Sequence, residues 1–543
     1  MLDYGVEDTH TLTPFYYAVR QQRRRFIMSV LNTARPKRVT RMKTHEGGEG
    51  RKAEVREELA MLALSSFLSD SFYERGGDTI SRMQKLVAKA PRKFVTQLAR
   101  VARQEFNMRT TPAALVGFYT LEHGQPQDGR VIRDVFFRGD EIGDYLATVA
   151  SFSDKGKVIP SAVRFGRAVL QDRLTERSAL RYSNFNRNWN LAKAIRITHA
   201  RAESTAEKRA LFDFVLLWKS EGSLSAAWER LPDEARMLLP VIHKAVNGAE
   251  DSGEISWERS RSAGASWESV VDNMGYMALL RNLRNFFEKV PASDRDFWNL
   301  VANRLADPEA VANSKQLPFR FLSAHRAISG SEHTWWYHSE INNGFRDHDK
   351  YALISNALSE ALDVSVGNLP AFEGRTLILV DTSGSMDAGV SDKSQVSYVD
   401  IATLFGAAMF RAQNSAVVCF GTTAAKVPLN KNHSVLANQA KLSDNELRGR
   451  LGYGTNMSTA FARVNVNDFD NIVVFSDMQI HDEIRSALRG YSGNVYSVNL
   501  AAYEAQMTRV GGNFYTIGGW ADSTLKLMSM LSEGSLIKYI ENY

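Results

Sequence analysis

Asp381, Ser383 and Ser385 alternate along "DTSGSM" (381–386), directly after the apolar run "TLILV" (376–380). Gly384 between the serines lets the chain turn tightly there. Two further loops offer oxygen of the same kind. Thr455 lies in "GYGTNMSTAF" (452–461) at the start of a helical stretch, and Asp477 follows "NIVVFS" (471–476). Two carboxylates and three hydroxyls make an all-oxygen donor set of the kind that hard cations such as Mg²⁺ take. The hydroxyls are neutral, so an ion held this way stays strongly Lewis acidic. It also keeps a coordination position open for a carboxylate or phosphate oxygen from elsewhere. The blander alternative is a simple turn capped by Asp381. Thr455 and Asp477 fall where other strands should end, and that placement favours the metal.

The elements that must position these residues are legible around them. Strand candidates are "TLILV", "SAVVCFG" (415–421), "NIVVFSD" (471–477), "NVYSVNL" (494–500) and "NFYTIGG" (513–519). Helical stretches lie between them at 396–412, 456–464, 482–490 and 522–531. Alternating strands and helices predict a doubly wound α/β domain whose parallel sheet is covered on both faces. Ligands bind at the carboxyl ends of such strands, where Asp381 and Asp477 lie. The grammar changes upstream of the loop "GNLPAFEGRT" (367–376). From about residue 55 to 365 apolar residues recur at i, i+3, i+4, i+7, as in "RKFVTQLARVARQEF" (92–106). Helices stacked over that length predict an all-α solenoid, although no clean repeat period is visible. The organisation expected is a basic arm and Gly-rich turn at 1–50, a helical module at 51–366 and an α/β domain at 371–543.

The chain has 543 residues, too many for one ordinary core. The single cysteine, Cys419, excludes an intrachain disulfide and a two-cysteine metal knuckle, and fits a reducing cytoplasm. No secretory signal and no membrane-spanning run is expected. The charge is unevenly placed. From Ala371 onward there are 14 Lys+Arg against 16 Asp+Glu, so the preceding part carries 53 against 45, a net of +8 within the total of +6. A basic helical module suggests a polyanion partner.

Within that module, residues 20–43 hold nine Lys/Arg and no acid, the composition of a flexible arm. From Ser161 to Arg201 nine basic residues (Arg164, Arg167, Arg173, Arg177, Arg181, Arg187, Lys193, Arg196 and Arg201) face two acids, Asp172 and Glu176. Arg164 with Arg167, and Arg177 with Arg181, share helix faces. Tyr182, Phe185 and Trp189 are interleaved, and rings beside arginines suit unpaired RNA bases and phosphates. The alternative is that the rings are core and the arginines line a wet face. His199 in "IRITHAR" is a further polar candidate.

The metal motif resembles the metal-ion-dependent adhesion site of von Willebrand factor A domains. That resemblance implies direct ligation by Ser383, Ser385 and Thr455, with Asp381 and Asp477 often acting through water. Asn456 stands where relatives often have Asp. The helical stretches resemble the TROVE module of the Ro autoantigen family, of bacterial or phage type. They include "THEGGEG" with "SFLSDSFYE" (66–74), "ARQEFNMRTTPA" (102–113), "RYSNFNRNWNLAKAIRITHAR" (181–201), "MALLRNLRNF" (277–286) and "KQLPFRFLSAHRAI" (315–328). The family implies a HEAT-like helical-repeat ring closed by the von Willebrand factor A domain. It further implies a monomeric ring that carries small noncoding Y-like RNA on its outer basic face. Single-stranded 3′ ends of misfolded RNA enter the central hole, and an exoribonuclease is a candidate partner. RNA-contacting positions carried over by resemblance are Arg181, Arg187 and His199, with Asn186 as the neighbour that a one-residue offset would substitute. The wider basic set above completes the expected RNA face.

Three functions compete on these residues. The leading one is a non-enzymatic RNA-binding protein of RNA quality control. A metal-dependent docking module with the helical part as spacer explains "DTSGSM" but leaves the Arg/aromatic segment idle. A two-metal nuclease would need several clustered carboxylates, and the motif supplies two.

Overall fold

A computed structural model describes residues 41–43, 49–52, 54–65, 76–106, 108–183, 185–247, 257–262, 264–314, 316, 318–329, 345–369, 373–390, 396–479, 487–501, 505–507, 513–518, 527–528, 531 and 536–543. The basic arm at 20–40, "SFLSDSFYE" and most of the helical stretches expected at 482–490 and 522–531 lie outside the described residues.

Two short strands, β1 (Arg41–Lys43) and β2 (Glu49–Lys52), precede a long series of helices. Helices used here from its first half are α1 (Val55–Ser65), α2 (Arg92–Gln104), α3 (Thr110–His123), α4 (Ile142–Phe152), α5 (Pro160–Arg173), α6 (Glu176–Tyr182), α7 (Leu191–Thr198) and α8 (Ala206–Glu221). From its second half they are α9 (Tyr276–Lys289), α10 (Arg295–Ala306), α11 (Pro318–Ser329) and α12 (Phe345–Ser365). Local chemistry explains several starts. Pro160 opens α5 at a position whose N–H would have no partner anyway. The side chains of Thr175, Asn190 and Thr205 each cap a helix by accepting from the N–H three residues on.

The α/β domain follows: β3 (Thr376–Asp381), α13 (Tyr398–Ala412), β4 (Ser415–Phe420), β5 (Ala424–Lys426), α14 (Val435–Leu442), α15 (Asn445–Leu451), α16 (Ser458–Phe461), β6 (Asn471–Ser476), β7 (Asn494–Asn499), β8 (Ala505–Met507), β9 (Asn513–Gly518) and α17 (Leu536–Asn542). The sheet order is β5-β4-β3-β6-β7-β9, parallel except for the edge strand β5. All five expected strands are therefore present, and β5 is an antiparallel edge that the alternation did not disclose. The expected helix at 456–464 shrinks to one turn, and Val464 and Val466 beyond it pack on the cluster that holds Phe461. β3 and β6 are buried along their whole length, as a strand covered on both faces must be. Alternate residues of β3 serve different cores. Ile378 and Val380 join one continuous with the helical module, while Leu377 and Leu379 join a second on the opposite face.

Both ends of the helical module land on the α/β domain. At the first end α1 packs on β9, and α17 packs on α2. There Gln97 Nε2 donates to the Glu541 carbonyl at 2.8 Å, Arg100 Nη1 donates to the Tyr543 carbonyl at 3.3 Å, and Arg56 pairs with Glu541. At the last end α11 packs on α13 and α12 on α14. Arg326 pairs with Asp400 at 2.6 Å and Arg411 with Asp363 at 3.2 Å, while Asp363 Oδ1 also accepts from the Val435 N–H at 2.8 Å. The helical path is thus closed by the domain that carries the metal motif.

Candidate metal centre and basic face

β3 pairs with β4 on one side and β6 on the other, so the chain reverses its direction of travel across the sheet at the carboxyl end of β3. Crevices form at such switch points, and Asp381 is the last residue of β3. The register places Val380 opposite Phe475, which brings Ser476 beside Asp381. Ser476 Oγ donates to Asp381 Oδ2 at 2.6 Å, and Asp381 Oδ1 accepts from the Ser383 N–H at 2.9 Å. Ser383 Oγ and Ser385 Oγ lie 3.4 Å apart.

The loop carrying Thr455 is held against this one by backbone. The Gly384 N–H donates to the Tyr453 carbonyl at 2.9 Å, and the Asn456 N–H donates to the Gly421 carbonyl at 2.8 Å. A Cβ at Gly421 would stand 2.0 Å from the Gly452 carbonyl oxygen, so only glycine permits that approach. Gly452 itself has φ of +74°. Behind the loops, Arg448 Nη2 pairs with Asp387 at 2.7 Å and also reaches the Thr382 carbonyl at 3.4 Å. On the third loop Asp477 Oδ1 accepts from the Gln479 N–H at 3.1 Å. The next residue, Met478, has φ of +62°, an uncommon strain for a non-glycine that here sits beside the site.

Asp381, Ser383, Thr455 and Asp477 are all buried, and Ser385 is half-buried. Burial first, and the Asp477 charge second, push the Asp381 carboxyl up to about 7. Burial, aided by Asp477, likewise lifts Tyr398 to about 12. Two buried carboxylates that disfavour one another's ionisation, ringed by neutral hydroxyls, fit a divalent cation, whose charge would offset both. No third His, Cys, Asp or Glu joins them in a metal-sized cluster among the described residues. Asp381, Ser383, Ser385, Thr455 and Asp477 could therefore hold an ion. The ion would supply Lewis acidity.

The expected RNA residues divide between two places. On α5, Arg167 Nε donates to the Thr198 carbonyl at 3.1 Å, at the end of α7. Gln171, on the same face, donates to the Ala200 and Ala202 carbonyls at 3.3 and 3.0 Å. Between those anchors His199 caps α7 in the left-handed region at φ 52°, with its side chain exposed. Arg164 and Arg196 are exposed, and Arg201 pairs with Asp213 at 2.6 Å. A second group lies around α6, where Arg177 and Arg181 are exposed. Tyr182 is stacked under Arg138 at 3.6 Å and has Arg181 at 5.7 Å.

Several aromatic faces are already occupied. Lys193 sits 3.9 Å over Trp189, and Phe185 meets Trp218 edge-on at 5.0 Å. Arg187 pairs with Asp144 at 3.2 Å, and Asn186 is exposed. Arg138 and Arg173 belong to this surface too. Arg138 lies outside the basic run that composition marks, and its role depends on a contact 44 residues away in sequence.

These features define a class: a closed series of helices followed by a doubly wound α/β domain with oxygen-rich loops at its switch point. Comparison agrees. The TROVE domain family model matches residues 254–343. The crystal structure of the Deinococcus radiodurans Ro (RSR) protein aligns with a TM-score of 0.57 at 16% identity, over 89% of this chain and 100% of that one. Telomerase protein component 1 of Mus musculus is 40% identical over 83 residues, and that of Rattus norvegicus 36% over 83 residues. Each of those two matches takes in 14% of this chain and only 3% of the relative. The chain thus carries a TROVE-domain match over residues 254–343 and shares the fold of that Ro protein.

Proposed function

We propose that this protein binds RNA and works in RNA quality control without cutting RNA itself. In this reading its basic face scaffolds a small noncoding, Y-like RNA. The helical ring accepts single-stranded 3′ ends of misfolded RNA, and an exoribonuclease acts on what is presented. The observation that carries the reading is the cationic surface of α5 and α7. Arg164 and Arg196 stand exposed on those two helices, and Arg167 and Gln171 bond the carbonyls on either side of the exposed His199. A fixed array of cations and an imidazole at a helix end suits a phosphate backbone. The buried Cys419 thiol, pushed up to about 12 by burial, is unreactive and suits a cytoplasmic protein. Among the described residues no helix is long and apolar enough to cross a membrane.

The metal belongs to the same proposal. Mg²⁺ at Asp381, Ser383, Ser385, Thr455 and Asp477 would leave a valence for an acidic group of a protein partner. The buried carboxylate pair supports the bound cation on which that docking, as a second activity, would depend. Sequencing RNA that co-purifies with the full-length protein tests the first reading. Structured small RNAs are expected, held with an affinity that falls steeply as salt rises. Recovery of protein free of RNA, with a Mg²⁺-dependent protein complex lost in Asp381→Ala, would leave docking as the function.

A further inference from the structure

Phe137 is 38% exposed and is the one phenylalanine among the exposed large apolar side chains of the described residues. Its position is built with care. The buried Glu141 accepts from the Phe137 N–H at 2.9 Å and from the Arg138 N–H at 3.4 Å, while Oε1 pairs with the buried Arg103 at 2.6 Å. Arg103 then lies against one face of the Phe137 ring, 4.0 Å from its centroid. Arg173 Nε donates to the Phe136 carbonyl at 2.8 Å and Nη2 to the Phe137 carbonyl at 3.4 Å. Backbone and one ring face are therefore pinned, and none of these contacts covers the remaining face.

Further cations follow along the chain and on α6. Arg138 lies next to Phe137 in the chain and stacks on Tyr182, and Arg181 follows at the end of α6. Arg109 is close enough to Arg103 to disfavour its charge. The acids facing this group are Asp140 on Arg138, Asp172 on Arg173 and Glu141 on Arg103, so cations outnumber them. The patch is separate from the α5–α7 face. Gln171 turns toward α7 and Arg173 toward residues 136–137, and two helical positions rotate by about 200°.

We infer that Phe137 is a stacking platform for one unpaired RNA base, with Arg138, Arg173 and Arg181 as its phosphate-side cations. The inference rests on the RNA-binding reading and adds a second, single-strand-selective contact to it. A base inside a duplex keeps its faces stacked on its neighbours, whereas an unpaired base can lay its face on a rigid ring.

The test uses full-length protein and two labelled RNAs of equal length, one single-stranded with an internal 2-aminopurine, one fully duplexed. Phe137→Ala should weaken single-strand binding by about tenfold, the size of one base–aromatic stack. Duplex affinity and the salt slope should not change, because no phosphate contact is lost. Bound 2-aminopurine should be quenched by the wild type and by Phe137→Trp, and stay bright at saturation on Phe137→Ala. Phe137→Leu keeps apolar cover for Arg103 and should behave as Phe137→Ala, which separates stacking from a loosened loop. Equal single-strand affinity in Phe137→Ala, or equal losses on both RNAs, would overturn the platform while leaving RNA binding in place. Wild-type protein that binds neither RNA would instead overturn the RNA-binding reading, and the platform with it.

Discussion

The metal loops and the basic face solve the same problem of gathering distant residues, and they do so differently. At the sheet edge, register does the gathering. Parallel strands in fixed register bring Asp381 and Ser476 side by side, and backbone hydrogen bonds fasten the second loop to the first. On the helical module nothing like a register exists. Residues only six positions apart, Arg167 and Arg173, fall on different surfaces because α5 turns between them. A motif on strand ends is consequently one site, whereas a basic run over several helices is more than one.

The sharpest way to break this contrast is to attack what fixes each site. Glu141→Ala should cost roughly 3–5 kcal/mol, because it strands the buried Arg103 charge as well as releasing the Phe137 backbone. Chemical denaturation would read it, and a loss under about 1 kcal/mol would mean that the helical site is not held by that pair. Gly421→Ala should cost roughly 3 kcal/mol by forcing the second metal loop away, and should also abolish any stabilisation by Mg²⁺.

A third comparison uses pH. Asp381 binds its proton more tightly folded, at about 7, than at its ordinary value of 3.8. Its contribution to stability is therefore full below about pH 4, declines between pH 4 and 7, and is gone above 7. Metal-free protein should lose on the order of a few kcal/mol across that window from this group. Mg²⁺ should restore stability at pH 8 and have little effect at pH 5, where Asp381 holds its proton. Asp381→Asn should flatten the profile and remove the Mg²⁺ response. Thermal unfolding in EDTA and in Mg²⁺ decides between these outcomes.

On the basic face, His199→Gly keeps the left-handed backbone while deleting the imidazole, and a loss of a few-fold in RNA affinity is expected. Arg181→Ala should lower the salt slope by about one contact, measured by titration at several salt concentrations. Combining the two should give the product of the single effects, because they lie on separate surfaces. The smallest effect belongs to the closure. Arg326→Ala removes a pair whose arginine side chain is 40% exposed, and should cost under about 1 kcal/mol.

Much of the fold was legible in advance. The five strands of the α/β domain stand in the sequence as short β-branched runs, and the loops after them carry the candidate donors Asp381, Ser383, Ser385, Thr455 and Asp477. The helical half was legible as a class, since 3.6-residue periodicity survives in "RKFVTQLARVARQEF". Phe137 gave no signal. In sequence "VFFRG" reads as two ordinary core aromatics, and Phe136 is one. Tyr182 and Trp189 carry a signal in composition that their packing changes, because Arg138 and Lys193 already cover one face of each ring.

Sequence by itself determined the alternation of elements, the uneven charge and which oxygen-bearing residues end the strands. Each of these depends on neighbours within a few residues or on a strand end that any parallel sheet would bring to one edge. Tertiary structure alone decided which arginines share a surface, which ring stays exposed and how the helical path closes on the α/β domain. Those outcomes depend on contacts such as Arg103 with Glu141, Arg138 with Tyr182 and Arg326 with Asp400. Helix packing sets such contacts through side-chain shape over long separations, and local pattern carries no record of it.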